Sequence, residues 1–355
     1  ANPLPSGGIV VHGAADIANM SAGHLKIHQH SNAVIINWQD FSIAKGYLTQ
    51  FQQPANGTAL NRVVSGNISQ IHGMLQANAN VFVINPNGIV VGPSGVIDVG
   101  GHAVLSTLDI DDEDFLDGGP SRFYGDATTG VTNFGTISSQ HGDVVLMGGF
   151  VDNQGQIGAL NGTVAIGAGG DILLEEGAGS KISVRGSSDY TGTGINNSGD
   201  IHGASAELKA HGNVYALAIN NTGAVRATGA DRSNGRVRLV ASGGSSNINL
   251  GQASTLRARV GNDGGSISVD AGQGEVTVAG HIDAAGHHTG GDIAVTGRVV
   301  SQTKTARVDA SAAIQGGEVA LDASETMTVA GTILSEGGYG TGGEVAVTGQ
   351  SIHIS

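Results

Sequence analysis

Cysteine is absent from the 355 residues of this chain, so neither a disulfide framework nor a thiolate metal site holds it together. That absence suits an exported chain that must stay unfolded in transit. Aromatic residues make up only 4% and charged residues 13%, a balance that fits neither a charged helical protein nor a small disulfide-stapled one. Lys and Arg number 16 against 30 Asp and Glu, a formal net charge of −14. No basic cluster exists, which argues against nucleic acid and anionic membrane surfaces as partners. No apolar run approaches the roughly 18 residues needed to span a bilayer, and the chain reads as soluble. A sustained 3.6-residue apolar period is missing too, so helices do not dominate.

What the chain has instead is 60 glycines among β-branched residues, so strand ladders must satisfy the backbone and the protein is expected to be all-β. The six prolines (Pro3, Pro5, Pro54, Pro86, Pro93, Pro120) lie in the first 120 residues. The chain beyond is proline-free and built on Val, Ile, Leu, Ala and Gly. We therefore expect residues 1–127 to form an N-terminal cap with the first coils, and residues 128–355 a regular array of coils in one continuous solenoid. Paired glycines open "GGSISVDA", "GGDIAVTG", "GGEVALDA" and "GGEVAVTG" at Gly264, Gly290, Gly316 and Gly342, a constant step of 26 residues. A period of this size is the mark of a solenoid. "HGDVVL" at Gly142 and "NGTVAI" at Gly162 repeat the unit at a step of 20, and "NGRVRL" at Gly235 continues it. "NFGTI", "NQGQI", "NSGDI" and "NTGAV", starting at Asn133, Asn153, Asn197 and Asn221, interleave as a second set of corners. Each coil thus needs at least two short strands. Alternation places Val144, Leu146, Val164, Ile166, Ile293, Val295, Val319, Leu321, Val345 and Val347 in an interior column. The array reads as a parallel β-helix, right-handed by the crossover rule. The last residues, "GGEVAVTGQSIHIS", stop mid-pattern, which reads as a truncation of a longer protein.

One turn is specified more fully than the rest. In "VFVINPNGIVVG", residues 81 to 92, Asn85, Pro86, Asn87 and Gly88 suit the four positions of a type I β-turn, with Ile89 opening the next strand. The other candidate sites have bland counterparts. The acidic run at Asp109, Asp111, Asp112, Glu113, Asp114 and Asp117 offers oxygens to calcium, but EF-hand spacing is missing, and a solvated or helix-starting segment is the preferred reading. "HLKIHQH" places His24, His28 and His30 on one face of a strand with Leu25 and Ile27 inward. Zinc uses such trios; without cysteine or an obvious further ligand, exposed strand histidines are the preferred reading, and no metal or other cofactor is expected. His287 and His288 sit in a loop. Arg236, Arg238, Arg257 and Arg259 read as solubilising outward residues. No nucleophile elbow, phosphate loop or paired acid appears, so the chain is not expected to be an enzyme, although parallel β-helices do host carbohydrate-processing enzymes.

The ordered blocks "NPLPSGGIVVHGAADI", "INWQDFSI", "FQQP", "ALNRVVSGNISQIHGMLQANANVFVINPNGIVVG" and "VGGHAVLSTLDIDDEDFL" resemble the N-terminal secretion domain of two-partner secretion exoproteins, the filamentous haemagglutinin family. An NPNL motif of the haemagglutinin branch is absent, and the pattern is closer to the high-molecular-weight adhesin branch. The resemblance is close over about the first 120 residues and implies a secretion domain spanning about residues 1–240. It implies a right-handed parallel β-helix with an N-terminal β-cap and extra-helical strands. It also implies a chain whose signal peptide has been removed, recognised in the periplasm by POTRA modules of an outer-membrane β-barrel transporter and passed to the cell surface. The residues carried over to this secretion role are Asn85, Pro86, Asn87, Gly88 and Ile89, with Asn61, Arg62, Gly66 and Asn67. On this reading the chain is a monomeric targeting and folding-nucleation module of an adhesin-type exoprotein, which contacts any host surface through a downstream region. The alternatives are a β-helix carbohydrate-processing enzyme and a glycan-binding adhesin rod.

Overall fold

The computed structural model describes residues 2–175, 180–231 and 233–355. The described chain is all-β apart from one short helix and forms a right-handed parallel β-helix with an N-terminal β-cap. It divides into two compact units, residues 1–177 with 181–190, and residues 178–180 with 191–355.

In the first unit the chain opens with two antiparallel pairings. Ile9–His12 lies against Ala33–Trp38, and Ala15–Ser21 against His24–Gln29. This is the cap, and it covers the strand edges that the first coil would otherwise expose. Trp38 is 1% exposed and meets Phe41 edge-on at 5.5 Å between ring centroids. Parallel pairing begins at once. One ladder runs through His24–Gln29, Leu48–Gln52, Met74–Ala77, Val96–Val99 and Thr136–Ser139. A second runs through Ala33–Trp38, Thr58–Val63, Asn80–Ile84, Ala103–Ser106 and Val144–Gly148. A third runs through Ser69–Ile71, Ile89–Val91, Gly130–Asn133 and Phe150–Asn153. Each coil therefore has three faces, one more than the minimum that the turn spacing requires.

A separate antiparallel sheet of Asp109–Ile110, Ser121–Tyr124, Asp171–Leu174 and Ile182–Gly186 stands outside the coils. Phe123, Ile172 and Ile182 on this sheet join Phe115, Val104, Val145, Met147 and Ala165 in one buried cluster. This explains why every residue of Val144–Gly148 is buried. Val144 and Leu146 face inward as alternation requires, while Val145 and Met147 face outward into the second sheet. Large rings here supply contact area that three-residue strands cannot.

The second unit repeats the three-ladder plan with smaller side chains. The 26-residue period is realised as register: Ile267 pairs with Ile293, Ile293 with Val319, and Val319 with Val345. Val295, Val319 and Leu321 are at most 1% exposed. Val345 departs from the expected column. It is 46% exposed, and Val347 is half-buried, because no further coil within this chain lies over them. The glycine pairs have a steric cause. A Cβ at Gly317 would lie 2.0 Å from the carbonyl oxygen of Gly291, and one at Gly343 would lie 1.8 Å from that of Gly317, so only glycine lets the corners stack. The asparagine corners do more than turn. Asn197 and Asn221 are fully buried, and the Asn197 side-chain amide donates to Asn221 Oδ1 at 2.7 Å. Asn133 does the same to Asn153 at 2.8 Å in the first unit, so these corners also link successive coils.

Candidate functional site

The turn at Asn85 joins the second ladder to the third in the first unit. Its backbone closes as the sequence predicts, the Gly88 amide donating to the Asn85 carbonyl at 3.1 Å. Gly88 sits at φ +120°, a conformation that side-chain-bearing residues avoid. Asn85 itself is fully buried. Its Nδ2 donates to the Asn67 carbonyl and to Ser69 Oγ, each at 2.9 Å. Its Oδ1 accepts from the Asn87 amide at 3.0 Å and from Asn87 Nδ2 at 2.9 Å, an Asx-turn superposed on the backbone turn. Asn87 Nδ2 also reaches the Ser65 carbonyl at 2.7 Å. The bonds to Asn67, Ser69 and Ser65 run to the preceding coil.

The following coil is held from the other side. The Asn85 amide donates to the Ser106 carbonyl at 2.9 Å, and Thr129 Oγ1 donates to the Pro86 carbonyl at 2.6 Å. Ile89 is fully buried and paired with both Ser69 and Val131. The corner therefore fastens three successive coils, the preceding one through the buried Asn85 side chain and the following one through the backbone of Asn85 and Pro86. Pro86, Gly66 and Asn67 stay exposed. Asn67 Nδ2 donates to the Gln39 carbonyl at 3.2 Å, and Gly66 has open space where a Cβ would stand.

The structure brings Asn67 to Asn85 and Asn87, but it sends Asn61 and Arg62 elsewhere. Asn61 is fully buried; its Oδ1 accepts from Trp38 Nε1 at 2.9 Å, and its Nδ2 donates to the Phe82 carbonyl at 3.2 Å. It satisfies the indole of the cap, which no local motif announces. Arg62 points out of the same strand. Its Nε meets Asp109 Oδ1 at 2.9 Å, Nη1 meets Asp112 Oδ1 at 2.8 Å, and Nη2 donates to the Ile110 carbonyl at 2.7 Å. Burial alone would lower the Arg62 pKa; the two carboxylates outweigh it and raise it.

The acidic run thus has a partner that spacing did not reveal. It starts a short helix, Asp112–Asp117, with Asp112, Glu113 and Asp114 in the first turn, where the helix dipole favours negative charge. Asp111 accepts from the Tyr124 hydroxyl at 3.0 Å. Asp109 and Asp112 are thus held by Arg62, and Asp111 by Tyr124. His24, His28 and His30 are not gathered as a trio. The group whose donor atoms all lie within 4.8 Å of one another is Asp16, His28 and His30, His24 being replaced by a residue from the neighbouring strand. The outward arginines are paired: Arg257 Nε and Arg259 Nη2 lie 3.2 and 3.0 Å from Asp283 oxygens.

Chemically, the Asn85 corner offers hydrogen bonds and a fixed backbone.

Comparison with known proteins follows the same region. The model of the TPS secretion domain matches residues 1–250. A heme/hemopexin-binding protein of Haemophilus influenzae strain Rd is 33% identical over 227 residues, 61% of this chain and 25% of that protein. A second heme/hemopexin-binding protein of Haemophilus influenzae is 36% identical over 102 residues, 28% of this chain and 11% of that protein. The chain spans a quarter or less of these curated relatives. Among solved structures, the HMW1 secretion domain from Haemophilus influenzae aligns over 99% of this chain and all of its own, with a TM-score of 0.64 at 22% identity, a likeness of fold. The filamentous hemagglutinin secretion domain aligns over 99% of each chain with a TM-score of 0.42 at 15% identity.

Proposed function

Because the chain belongs to the TPS secretion domain family, we propose that it targets a larger exoprotein to a partner outer-membrane β-barrel transporter and then nucleates folding at the cell surface from the Asn85 corner. The transporter's periplasmic POTRA modules bind the chain while it is unfolded, and Asn61, Arg62, Gly66, Asn67 and residues 85–89 act mainly after emergence. The observation that carries the folding step is the fully buried Asn85 amide, bonded to Asn67 and Ser69 only 18 and 16 residues earlier. Short loops cost little entropy to close and form fast. A corner that gathers successive coils through local contacts is therefore a favourable starting point for a stack that would otherwise wait for distant pairing. The surface-binding work of the whole protein belongs, in this reading, to chain beyond the matched portion. No catalytic role is assigned.

The test separates nucleation from stability. Asn85→Ala and a distant core variant, Leu256→Ala, are compared for secretion through the transporter and for refolding rate after correction for equilibrium stability. Asn85→Ala is expected to slow both more, for the same loss of stability. Equal slowing, or normal secretion of an Asn85→Ala chain that merely melts early, would leave the corner a structural element only. Binding of unfolded wild-type chain to isolated periplasmic modules of the transporter checks the targeting step.

A further inference from the structure

We infer that the outer face of the cap carries a zinc-class metal site built from Asp16, His28 and His30, a metal staple across the first antiparallel hairpin. This inference is independent of the secretion reading. Three observations carry it. The donor atoms of these residues already lie within 4.8 Å of one another. The scaffold is fixed by the strands. Asp16 stands directly across from His28 in the Ala15–Ser21 and His24–Gln29 ladder, and the His30 amide donates to the Ala14 carbonyl at 2.8 Å. His28 lies near the end of its strand and His30 just beyond it, two residues on, and their rings meet at 4.4 Å between centroids. Lastly, the donors are free to turn. All three residues are exposed, and among the described residues no hydrogen bond to the His28 ring is found. The contact of His30 Nε2 with Asp16 Oδ2, at 2.8 Å, is one that a cation would replace.

The chemistry selects the ion. Two imidazoles and one carboxylate form the donor set of borderline divalent ions, zinc above all, with copper and nickel competing by affinity; calcium and magnesium prefer all-oxygen cages. Metal–ligand bonds of about 2.0–2.2 Å place tetrahedral donor atoms about 3.4 Å apart, within reach of small side-chain rotations from the present positions. The remaining coordination position faces solvent and takes water. An ion here joins the two strands where Ile17 and Ile27 pair one register step away, and so holds closed the hairpin on which the first parallel ladder is laid.

The full chain, stripped with EDTA and dialysed, is titrated with zinc alone by calorimetry and with cobalt by visible absorption, alongside Asp16→Asn, His28→Gln, His30→Gln and, as a control, His281→Gln. Expected are saturable one-to-one binding, a cobalt spectrum of low coordination number, and slower amide exchange over residues 15–29 with zinc present. Each of the three site variants should bind about tenfold more weakly or worse, and the control should bind like the wild type. Because the side chains are exposed, the variants keep the hairpin, which amide exchange without metal verifies. No saturable binding, or the wild-type affinity in His28→Gln and His30→Gln, overturns the site.

Discussion

Replacing Asn85 with alanine tests how much of the first unit hangs on one amide. The substitution deletes two donated bonds, to the Asn67 carbonyl and Ser69 Oγ, and two accepted from Asn87. A hydrogen bond contributes about 1 kcal/mol net, and a buried group left without its partner costs about 1–3 kcal/mol. Ser69 is fully buried, so its hydroxyl is such a group, whereas the Asn87 amide regains some solvent. Together these give a loss of about 3–4 kcal/mol. Ser69→Ala, which removes one partner only, should lose about 1 kcal/mol. The assay has a built-in reporter, since the single tryptophan, Trp38, is buried in the cap and bonded to Asn61. Urea unfolding followed by its fluorescence reads the first unit, where a repeat array need not melt as one. The expected result is a lower midpoint at unchanged slope. The double variant should be less destabilised than the sum of the single ones, because both delete the same bond. A loss below about 1 kcal/mol for Asn85→Ala would show that its bonds are replaced by water without cost, and would refute the claim that the corner holds the coils.

Two further outcomes follow from the same geometry. Arg62→Ala frees Asp109, Asp112 and the Ile110 carbonyl at once; the segment of residues 109–118 should become the first site of limited proteolysis, with a stability loss of about 2 kcal/mol, while Arg62→Lys recovers only part of it because a single ammonium cannot match the guanidinium fork. For Asp143, burial alone would raise the pKa, but hydrogen bonds from His102, Lys181 and the Thr163 amide hold it down to about 2. Its folded pKa is depressed, so its stabilisation is present above the ordinary carboxylate range and is lost as pH falls toward 2. Asp143→Asn should therefore cost about 2 kcal/mol near neutral pH and nearly nothing at pH 2, as read by urea midpoints at the two pH values.

Where sequence reasoning succeeded, the cause is local. The strands of the 26-residue repeat point Ile293, Val295, Val319 and Leu321 inward because side chains alternate along a strand, and all are buried. The closure of the turn at Asn85 was legible because Asn, Pro and Gly carry their backbone preferences with them. The same rule placed Leu25 and Ile27 inward and His28 outward. It fell short where a residue's environment comes from elsewhere. Val145 and Met147 alternate outward yet are buried under the extra-helical sheet.

The chain's own order of residues therefore determined the fold class, the repeat and the special corner, since each depends on backbone preference and on a period of two. Tertiary structure alone decided the three-faced coil, the pairing of Arg62 with Asp109 and Asp112, the Asn61 bond to Trp38, and the meeting of Asp16 with His28 and His30. These join segments between 12 and 50 residues apart, and the choice of such partners follows from how coils stack and hairpins fold back. No periodicity within either segment encodes that choice.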